Sequence, residues 1–154
     1  MESKVVVKTF TPTRRPDPMP GARILGLKLD DEFEVATRIS DGLSTAAVGR
    51  LAKELGVSDN RILTLTNIPE STYHSRKRKR QPLSAEESSR VYRIAKATAA
   101  AEAYFEGSKP AARRWLTNPK IALGGKTPLE FARTPEGSDY VIKLLERMEH
   151  GIAS

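Results

Sequence analysis

Residues that begin and end helices recur at short intervals from Leu29 onward. These capping and terminating residues constrain the fold more than any other feature of the sequence. Asp, Ser or Thr stands where a helix would begin, and Gly or Pro follows where it would end. The apolar residues between these signals repeat every three or four positions, which is the period of a helix face. No segment alternates apolar and polar residues as a half-buried strand would. The sequence therefore predicts an all-α fold.

The first two helices are predicted from their caps and their apolar faces. Asp30 is placed to cap a helix that turns Phe33, Ala36 and Ile39 toward the core. The next helix spans residues 46–55 and ends at a glycine, which readily adopts the left-handed conformation that stops a helix.

Capping boxes, in which a hydroxyl and a carboxylate cap each other's backbone amides, begin two later helices. Ser84 with Glu87 opens the longest helix, whose alanine-rich middle allows close packing. Thr127 with Glu130 opens a short one. The last helix carries apolar residues at core spacing, namely Val141, Leu144, Leu145 and Met148.

Residues 1–28 are predicted to form a flexible N-terminal tail. Four prolines fall within residues 11–21, and proline removes the amide hydrogen that a helix interior needs. The apolar run Val5–Val7 could instead pair as a short strand with a partner, an alternative that the sequence leaves open.

Composition excludes several classes of protein. No cysteine is present, which rules out disulfides, thiol catalysis and zinc fingers. No apolar run reaches the roughly 20 residues of a membrane span and no signal peptide is found, so we expect a cytoplasmic protein without membrane association. The net charge is +7, and residues 1–80 hold 15 Lys and Arg against 10 Asp and Glu. A basic half of this kind favours a polyanionic partner.

Three consecutive short helices with a tight turn describe a helix-turn-helix. The support helix is predicted at Asp59–Thr66, the turn at Asn67–Pro69 and the recognition helix at Glu70–Lys79. Short polar side chains would let this helix approach base edges, and the basic run after them would reach phosphates. A solvated basic turn, or a chance likeness to a nuclear-import sequence, is the alternative. The predicted DNA-binding residues are Ser71, Thr72, His74, Ser75, Arg76, Lys77, Arg78 and Lys79.

Two other residues of the recognition helix have more than one interpretation. Tyr73 is predicted to anchor the helix in the core rather than to stack on a base. Glu70 suits the helix dipole but repels phosphate. It could accept a hydrogen bond from a cytosine amino group or serve only as a cap.

No constellation of catalytic or metal-binding residues is found, so the chain is predicted to be no enzyme and to need no cofactor or metal. Gly125-Lys126-Thr127 resembles the end of a phosphate-binding P-loop, but Lys120 stands where that loop needs a glycine and Pro128 removes an amide. His74 and His150 lack the neighbours of a catalytic triad or a metal site.

Several motifs of the C-terminal half occur together and in order. They comprise residues 112–119 (ARRWLTNP), residues 122–130 (ALGGKTPLE), Thr134 with Gly137, and residues 147–152 (RMEHGI). Together they resemble the toxin-binding domain of the Xre/MbcA/ParS-type antitoxins. Ser84-Ala85-Glu86-Glu87-Ser88 with Arg90 resembles the linker that follows the Xre-type helix-turn-helix domain.

The resemblance implies an Xre-like helix-turn-helix domain at residues 29–82, a long connecting helix at 83–107 and a small helical toxin-binding domain at 108–154. It implies the antitoxin of a type II system, which binds over the active site of a RES-domain toxin that degrades NAD. It further implies repression of its own operon at operator DNA, and a homodimer within a larger complex. A stand-alone helix-turn-helix regulator is the alternative. The implied toxin-binding residues are Leu123, Gly124, Gly125, Lys126, Thr127, Arg147, Glu149, His150 and Gly151.

The chain departs from the family pattern in the recognition helix and in one loop. Pro69 stands at the cap position, and Ser75 precedes Arg76 where a second arginine is usual. The Asn118-Pro119 turn lies one residue further from Ala122 than the family pattern has it. The operator and the shape of this loop therefore do not follow from the resemblance.

Three features of the toxin-binding region also have a plain structural interpretation. The pair Gly124-Gly125 could present backbone amides to a partner or only make a tight turn. Trp115 is predicted to lie in the core against the final helix, with an interface anchor as the alternative. Arg147 and His150 would suit the negative end of a helix dipole without any partner.

Overall fold

Every regular element in residues 19–151, the range that a computed structural model describes, is helical. The predicted all-α class is therefore confirmed for this range, and none of its helices is long and apolar enough to cross a membrane. The predictions for residues 1–18, including the Val5–Val7 strand, lie outside the described residues. The elements are α1 (Pro20–Ile24), α2 (Glu32–Asp41), α3 (Ala46–Leu55), α4 (Asp59–Thr66), α5 (Glu70–Lys79), α6 (Ala85–Tyr104), α7 (Lys109–Thr117), a 3-10 turn (Ile121–Leu123), α8 (Pro128–Phe131) and α9 (Pro135–Glu149).

Helix α6 is the centre of the fold. It packs against α1 to α4 of the N-terminal half and against α7 and α9 of the C-terminal half. Ala95, Ala97 and Ala101 of α6 are fully buried, so neighbouring helices approach its backbone closely, as the alanine-rich sequence predicts. One apolar cluster runs from Leu43 of the helix-turn-helix half to Leu145 of α9. The two predicted domains therefore share a single core.

The segment after the prolines is folded, and the prediction of a tail through residue 28 is wrong for residues 20–25. Pro20 occupies the first turn of α1, where its missing amide hydrogen is not needed. Ala22, Ile24 and Leu25 are buried, and α1 lies against α6. Burial of these apolar side chains explains why the chain is ordered here.

Helix α2 begins one residue later than predicted and buries a different face. The Asp31 carboxylate, not that of Asp30, accepts a hydrogen bond from the Glu34 amide at 2.8 Å. Val35 is its one buried residue, whereas Phe33 is 79% exposed. A shift of one or two positions turns the inward face by 100° or more, since a helix has 3.6 residues per turn.

The two predicted capping boxes of the later helices are confirmed, and a serine cap begins α4 as well. Ser58 caps α4, and both hydrogen bonds of each capping box are present, at Ser84 with Glu87 and at Thr127 with Glu130. The Glu130 carboxylate also lies 3.5 Å from the Arg61 guanidinium of α4, which links the two halves of the molecule.

A cluster of charged groups joins α1, α3, α6 and α7 at the edge of the shared core, where Glu54 and Glu102 are largely buried and Arg23 and Lys109 are half-exposed. Lys109 donates a hydrogen bond to Glu54 at 3.2 Å, and Arg23 lies 3.5 Å from Glu102. Burial and the Glu54 carboxylate raise the pKa of Glu102 to about 7, although Arg23 and Lys109 oppose this rise. Burial opposes ionisation of Glu54 too, but hydrogen bonds from Glu102 and Lys109 hold its pKa below the usual value. The two carboxyl groups therefore share one proton near neutral pH.

Candidate functional site

The turn between α4 and α5 sets the first candidate site. Asn67 adopts a left-handed conformation, which asparagine tolerates better than most residues, and ends α4. The Ile68 amide then donates to the Leu63 carbonyl at 2.9 Å, and the Ile68 side chain is buried. Helices α4 and α5 begin and end at the residues predicted for the support and recognition helices.

Tyr73 fixes α5 against the core, as predicted. Its side chain is only 2% exposed, and its hydroxyl donates to the Asp59 carboxylate at 3.3 Å. Burial and the Asp59 charge raise the pKa of Tyr73, so the phenol keeps its proton and its hydrogen bond. Tyr73 is the one buried residue of α5, which leaves the rest of the helix facing outward.

None of the predicted DNA-binding residues of α5 is buried. Their side chains are exposed or partly exposed, and the His74 ring rests edge-on against Tyr73 with 5.2 Å between centroids. Glu70 is exposed as well, at the start of the helix. We call the following set the recognition-helix surface: Ser71, Thr72, His74, Ser75, Lys77, Arg78 and Lys79.

Arg76 has a structural contact that the sequence did not reveal. Its guanidinium forms an ion pair with Glu87, the carboxylate of the capping box that opens α6. Glu87 is buried, and although burial alone would raise its pKa, hydrogen bonds from Ser84 and the charge of Arg76 hold the pKa below its usual value. The Arg90 guanidinium forms a second contact between these elements, donating a hydrogen bond to the Thr66 carbonyl at 2.5 Å. The helix-turn-helix is thus tied to α6 at both α4 and α5.

The loop between α7 and α8 forms the second candidate site, and its own hydrogen bonds close it. The Gly125 amide donates to the Lys120 carbonyl at 2.9 Å, and the Lys120 amide donates to the Lys126 carbonyl at 3.0 Å. Gly124 and Gly125 have φ values of 66° and 82°, which favour glycine. The Gly124 amide also donates a hydrogen bond, to the Ile121 carbonyl at 3.0 Å. The two glycine amides are therefore already satisfied within the loop, and a partner would contact the surface of the loop rather than free amides.

The loop does not expose every residue that was predicted to bind a toxin. Leu123 and Thr127 are 3% and 8% exposed, since Leu123 packs inward and Thr127 caps α8, so this pair offers a partner little surface. Ile121 is instead 100% exposed, although nothing in the sequence pattern distinguishes it from its neighbours. A loop this short has no period that would tell an inward from an outward side chain. We call the following set the loop surface: Ile121, Gly124, Gly125 and Lys126.

Trp115 supports the loop from beneath. Its ring is partly buried and packs against the edge of the core cluster rather than lying within it. The Lys120 ammonium lies 5.6 Å from the ring centroid, in range of a cation–π contact. The first residue of the loop is thereby fixed to α7.

The last turns of α9 form the third candidate site. Arg147, Glu149, His150 and Gly151 are all exposed. The Arg147 guanidinium lies 5.4 Å from the Tyr140 ring centroid, and Tyr140 in turn packs on Phe131 of α8. A shallow pocket of about 370 Å³ opens beside these groups, lined by Tyr140, Lys143, Glu146, Arg147 and His150. Tyr140 carries no signal in the sequence, because its partial exposure depends on how α8 and α9 pack.

Two family models match the chain, one after the other. Residues 34–96 match the antitoxin Xre-like helix-turn-helix domain, and residues 100–151 match the antitoxin Xre/MbcA/ParS C-terminal toxin-binding domain. The division between the two matches falls inside α6, the helix that both halves use.

Curated relatives agree with both matches. The chain is 35% identical to antitoxin Xre of Pseudomonas putida over 80% of this chain and 76% of the relative. It is 27% identical to antitoxin Xre of Photorhabdus laumondii over 96% of this chain and the whole relative. It is also 28% identical to the Prs ADP-ribosylating antitoxin of Sphingobium sp., over 73% of this chain and 76% of that protein.

Proposed function

The chain belongs to the Xre antitoxin family, and on that premise we propose that it neutralises a RES-domain, NAD-degrading toxin by binding over the toxin's active site. It represses its own operon through α5, and it acts in the cytoplasm by binding, without catalysis of its own. The observation that carries this proposal is the pairing of a cationic helix face and a closed, exposed loop on one shared core.

The loop surface and the end of α9 support toxin binding. The loop is closed before any partner arrives, so little conformational entropy is lost when it docks. Ile121 supplies an apolar side chain at its tip, which we add to the predicted toxin contacts. Arg147, Glu149 and His150 supply the polar groups, while Leu123 and Thr127 act indirectly by holding the loop's shape.

The recognition-helix surface supports operator binding. Short side chains at Ser71 and Thr72 let the start of α5 approach base edges, and Lys77, Arg78 and Lys79 are placed to meet phosphates. We infer a homodimer, because helix-turn-helix proteins commonly read two half-sites related by a twofold axis. A dimer would present two copies of α5 and two loop surfaces within one toxin–antitoxin complex.

The proposal is tested by expressing the chain together with the RES-type protein from the neighbouring reading frame. We expect cell growth and NAD content to be restored, and the two proteins to purify together at a fixed ratio. Separately, the purified chain should bind a fragment of its own promoter. Promoter binding without rescue and without co-purification would instead identify a stand-alone regulator.

A further inference from the structure

A cationic cleft adjoins the recognition-helix surface and shares Lys77 with it, but its other lining residues were not part of the predicted DNA contact. It opens where the end of α2, the turn into α3 and the end of α5 meet, and it has a volume of about 420 Å³. Three positively charged side chains and several polar ones line it, and none of its lining residues is Asp or Glu. The polar and charged lining residues are Arg38, Ser44, Thr45, Lys77, Arg80 and Gln81.

Two arginines of this cleft differ from three other arginines of the helix-turn-helix half, which form ion pairs. Arg61, Arg76 and Arg90 each face a carboxylate of Glu130, Glu87 or Glu86. Arg38 and Arg80 form no ion pair with any carboxylate in residues 19–151. Like charges that converge without a counter-ion repel one another, and a polyanion in the cleft would relieve that repulsion.

Arg80 occupies a backbone position that usually favours glycine. Arg80 ends α5 in the left-handed conformation, with φ 53° and ψ 36°. Glycine or asparagine is the usual residue there, because a side chain with a full Cβ is strained in this region. The cap itself needs only a backbone amide, so the cap does not account for an arginine at this position.

The walls of the cleft are held by hydrogen bonds between distant parts of the chain. The Leu83 amide donates to the Leu43 carbonyl at 2.8 Å, and the Leu43 amide donates to the Ser88 hydroxyl at 2.8 Å. The Gln81 amide donates to the Arg76 carbonyl at 2.9 Å. The cleft is therefore formed before any ligand binds, and the Ser44 and Thr45 hydroxyls add neutral hydrogen-bond donors to it.

The position of the cleft fits the edge of the major groove. From Ser71, at the base-reading end, to Arg80 the helix rises by about 13 Å. The major groove is about 12 Å wide, so a helix that reads bases at its start carries its far end to the phosphate backbone.

We propose that this cleft is a second phosphate-binding site, in which Arg38 and Arg80 hold the operator backbone beside the recognition helix. The inference rests on the proposed DNA-binding function and extends it to residues outside the recognition-helix surface. The ligand chemistry is a phosphodiester, which the guanidinium groups bind by charge-assisted hydrogen bonds.

The test compares promoter binding by the full chain with binding by Arg38→Ala, Arg80→Gly and the double variant, measured by fluorescence anisotropy over a range of salt concentrations. Each lost phosphate contact should lower the slope of log affinity against log salt by about 0.9. We expect a loss of close to 2 for the double variant. Arg114→Ala, an exposed arginine of α7, is the matched control and should leave the slope unchanged.

Arg80→Gly separates lost function from lost folding. Glycine suits the left-handed cap, so the melting temperature of this variant should stay the same or rise while its DNA affinity falls several-fold. Inorganic phosphate is the second probe, added to the protein without DNA. If it raises the melting temperature of the wild type alone while the DNA salt slopes stay equal, the cleft holds a free anion and the operator assignment is overturned.

The remaining outcomes are also decisive. Wild-type binding to the promoter with an unchanged slope in the double variant would overturn the cleft alone and leave the proposed function standing. Failure of the wild type to bind the promoter at any salt concentration would overturn both.

Discussion

The recognition-helix surface and the loop surface lie on the same core but are built from different kinds of residue. Helix α5 presents Lys77, Arg78 and Lys79 in succession on a regular helix. The loop presents Ile121 beside two glycines on a turn that its own hydrogen bonds close. Charge acts at a distance and is screened by salt, whereas apolar contact acts only when surfaces meet. The first surface should therefore respond to ionic strength, and the second to the loss of a single apolar side chain.

The largest expected effect tests whether the two surfaces depend on one core. Gly137 lies in the first turn of α9, and an added Cβ there would come within 1.8 Å of the Phe131 carbonyl oxygen. We expect Gly137→Ala to lower the free energy of unfolding by about 3 kcal/mol. Thermal unfolding should show a single transition, roughly 10 °C lower, with DNA and toxin binding lost together.

Gly49→Ala is the matched control for this change. Gly49 lies inside α3, and the nearest atom that its Cβ would meet is 3.9 Å away. Alanine is the better helix former, so this variant should gain about 0.5 to 1 kcal/mol. Two separate unfolding transitions in Gly137→Ala, with DNA binding retained, would show that the halves fold independently.

The next effect concerns the loop surface alone. Ile121→Ser removes a fully exposed apolar side chain, so the melting temperature should not change. Toxin affinity should fall about 30-fold, because an apolar anchor at the centre of an interface contributes about 2 kcal/mol. Ala122→Ser, at the adjacent exposed position, should stay within a few-fold of the wild type. Equal toxin affinity for wild type and Ile121→Ser, measured by calorimetry, would remove Ile121 from the interface.

The two surfaces also differ in how far sequence could predict them. The bounds of α4 and α5 follow from Ser58, Gly56 and the Asn67–Pro69 turn, since caps and turns act over a few neighbouring residues. The loop residues 120–126 have no such local code. Which of Ile121 and Leu123 faces inward depends on how α7 and α8 pack, and a spacing of two residues cannot decide it.

The same physical limit applies to ion pairs and to the N-terminal segment. In the sequence, Arg76 is indistinguishable from the other residues of a basic run. Only the packing of α6 places Glu87 beside it. The α1 segment follows prolines that suggest disorder, and only the core reveals why Ile24 and Leu25 are buried. The helical period of its apolar residues correctly predicts α2. These residues are few, however, and are compatible with more than one side of the helix facing the core.

A smaller effect distinguishes the two surfaces by how binding affinity depends on salt concentration. Arg78→Ala with Lys79→Ala removes two exposed cations from α5. Promoter affinity should fall roughly tenfold near 0.1 M salt, and the salt slope should fall by close to 2. Toxin affinity should not change, because the loop surface is untouched. A slope equal to that of the wild type, with only the affinity reduced, would contradict phosphate contact at these residues.

The smallest expected effect is a pH-dependent change in the stability of the shared core, and it should therefore affect both surfaces equally. Glu102 lies in the shared core, where its pKa rises from 4.5 to about 7. Between these values the folded protein keeps a proton that the unfolded chain has released, so this group's contribution to stability is lost as pH rises toward 7. Glu54 titrates in the opposite sense, but its lowered pKa confines that change to more acidic solutions. The glutamine of Glu102→Gln cannot ionise. The melting temperature of this variant minus that of the wild type should therefore increase as the pH rises from 5 to 7.5. Glu146→Gln, exposed on α9, should show no such trend. If the wild type and Glu102→Gln run parallel across this range, the shared proton is not part of what holds α3 and α7 to α6.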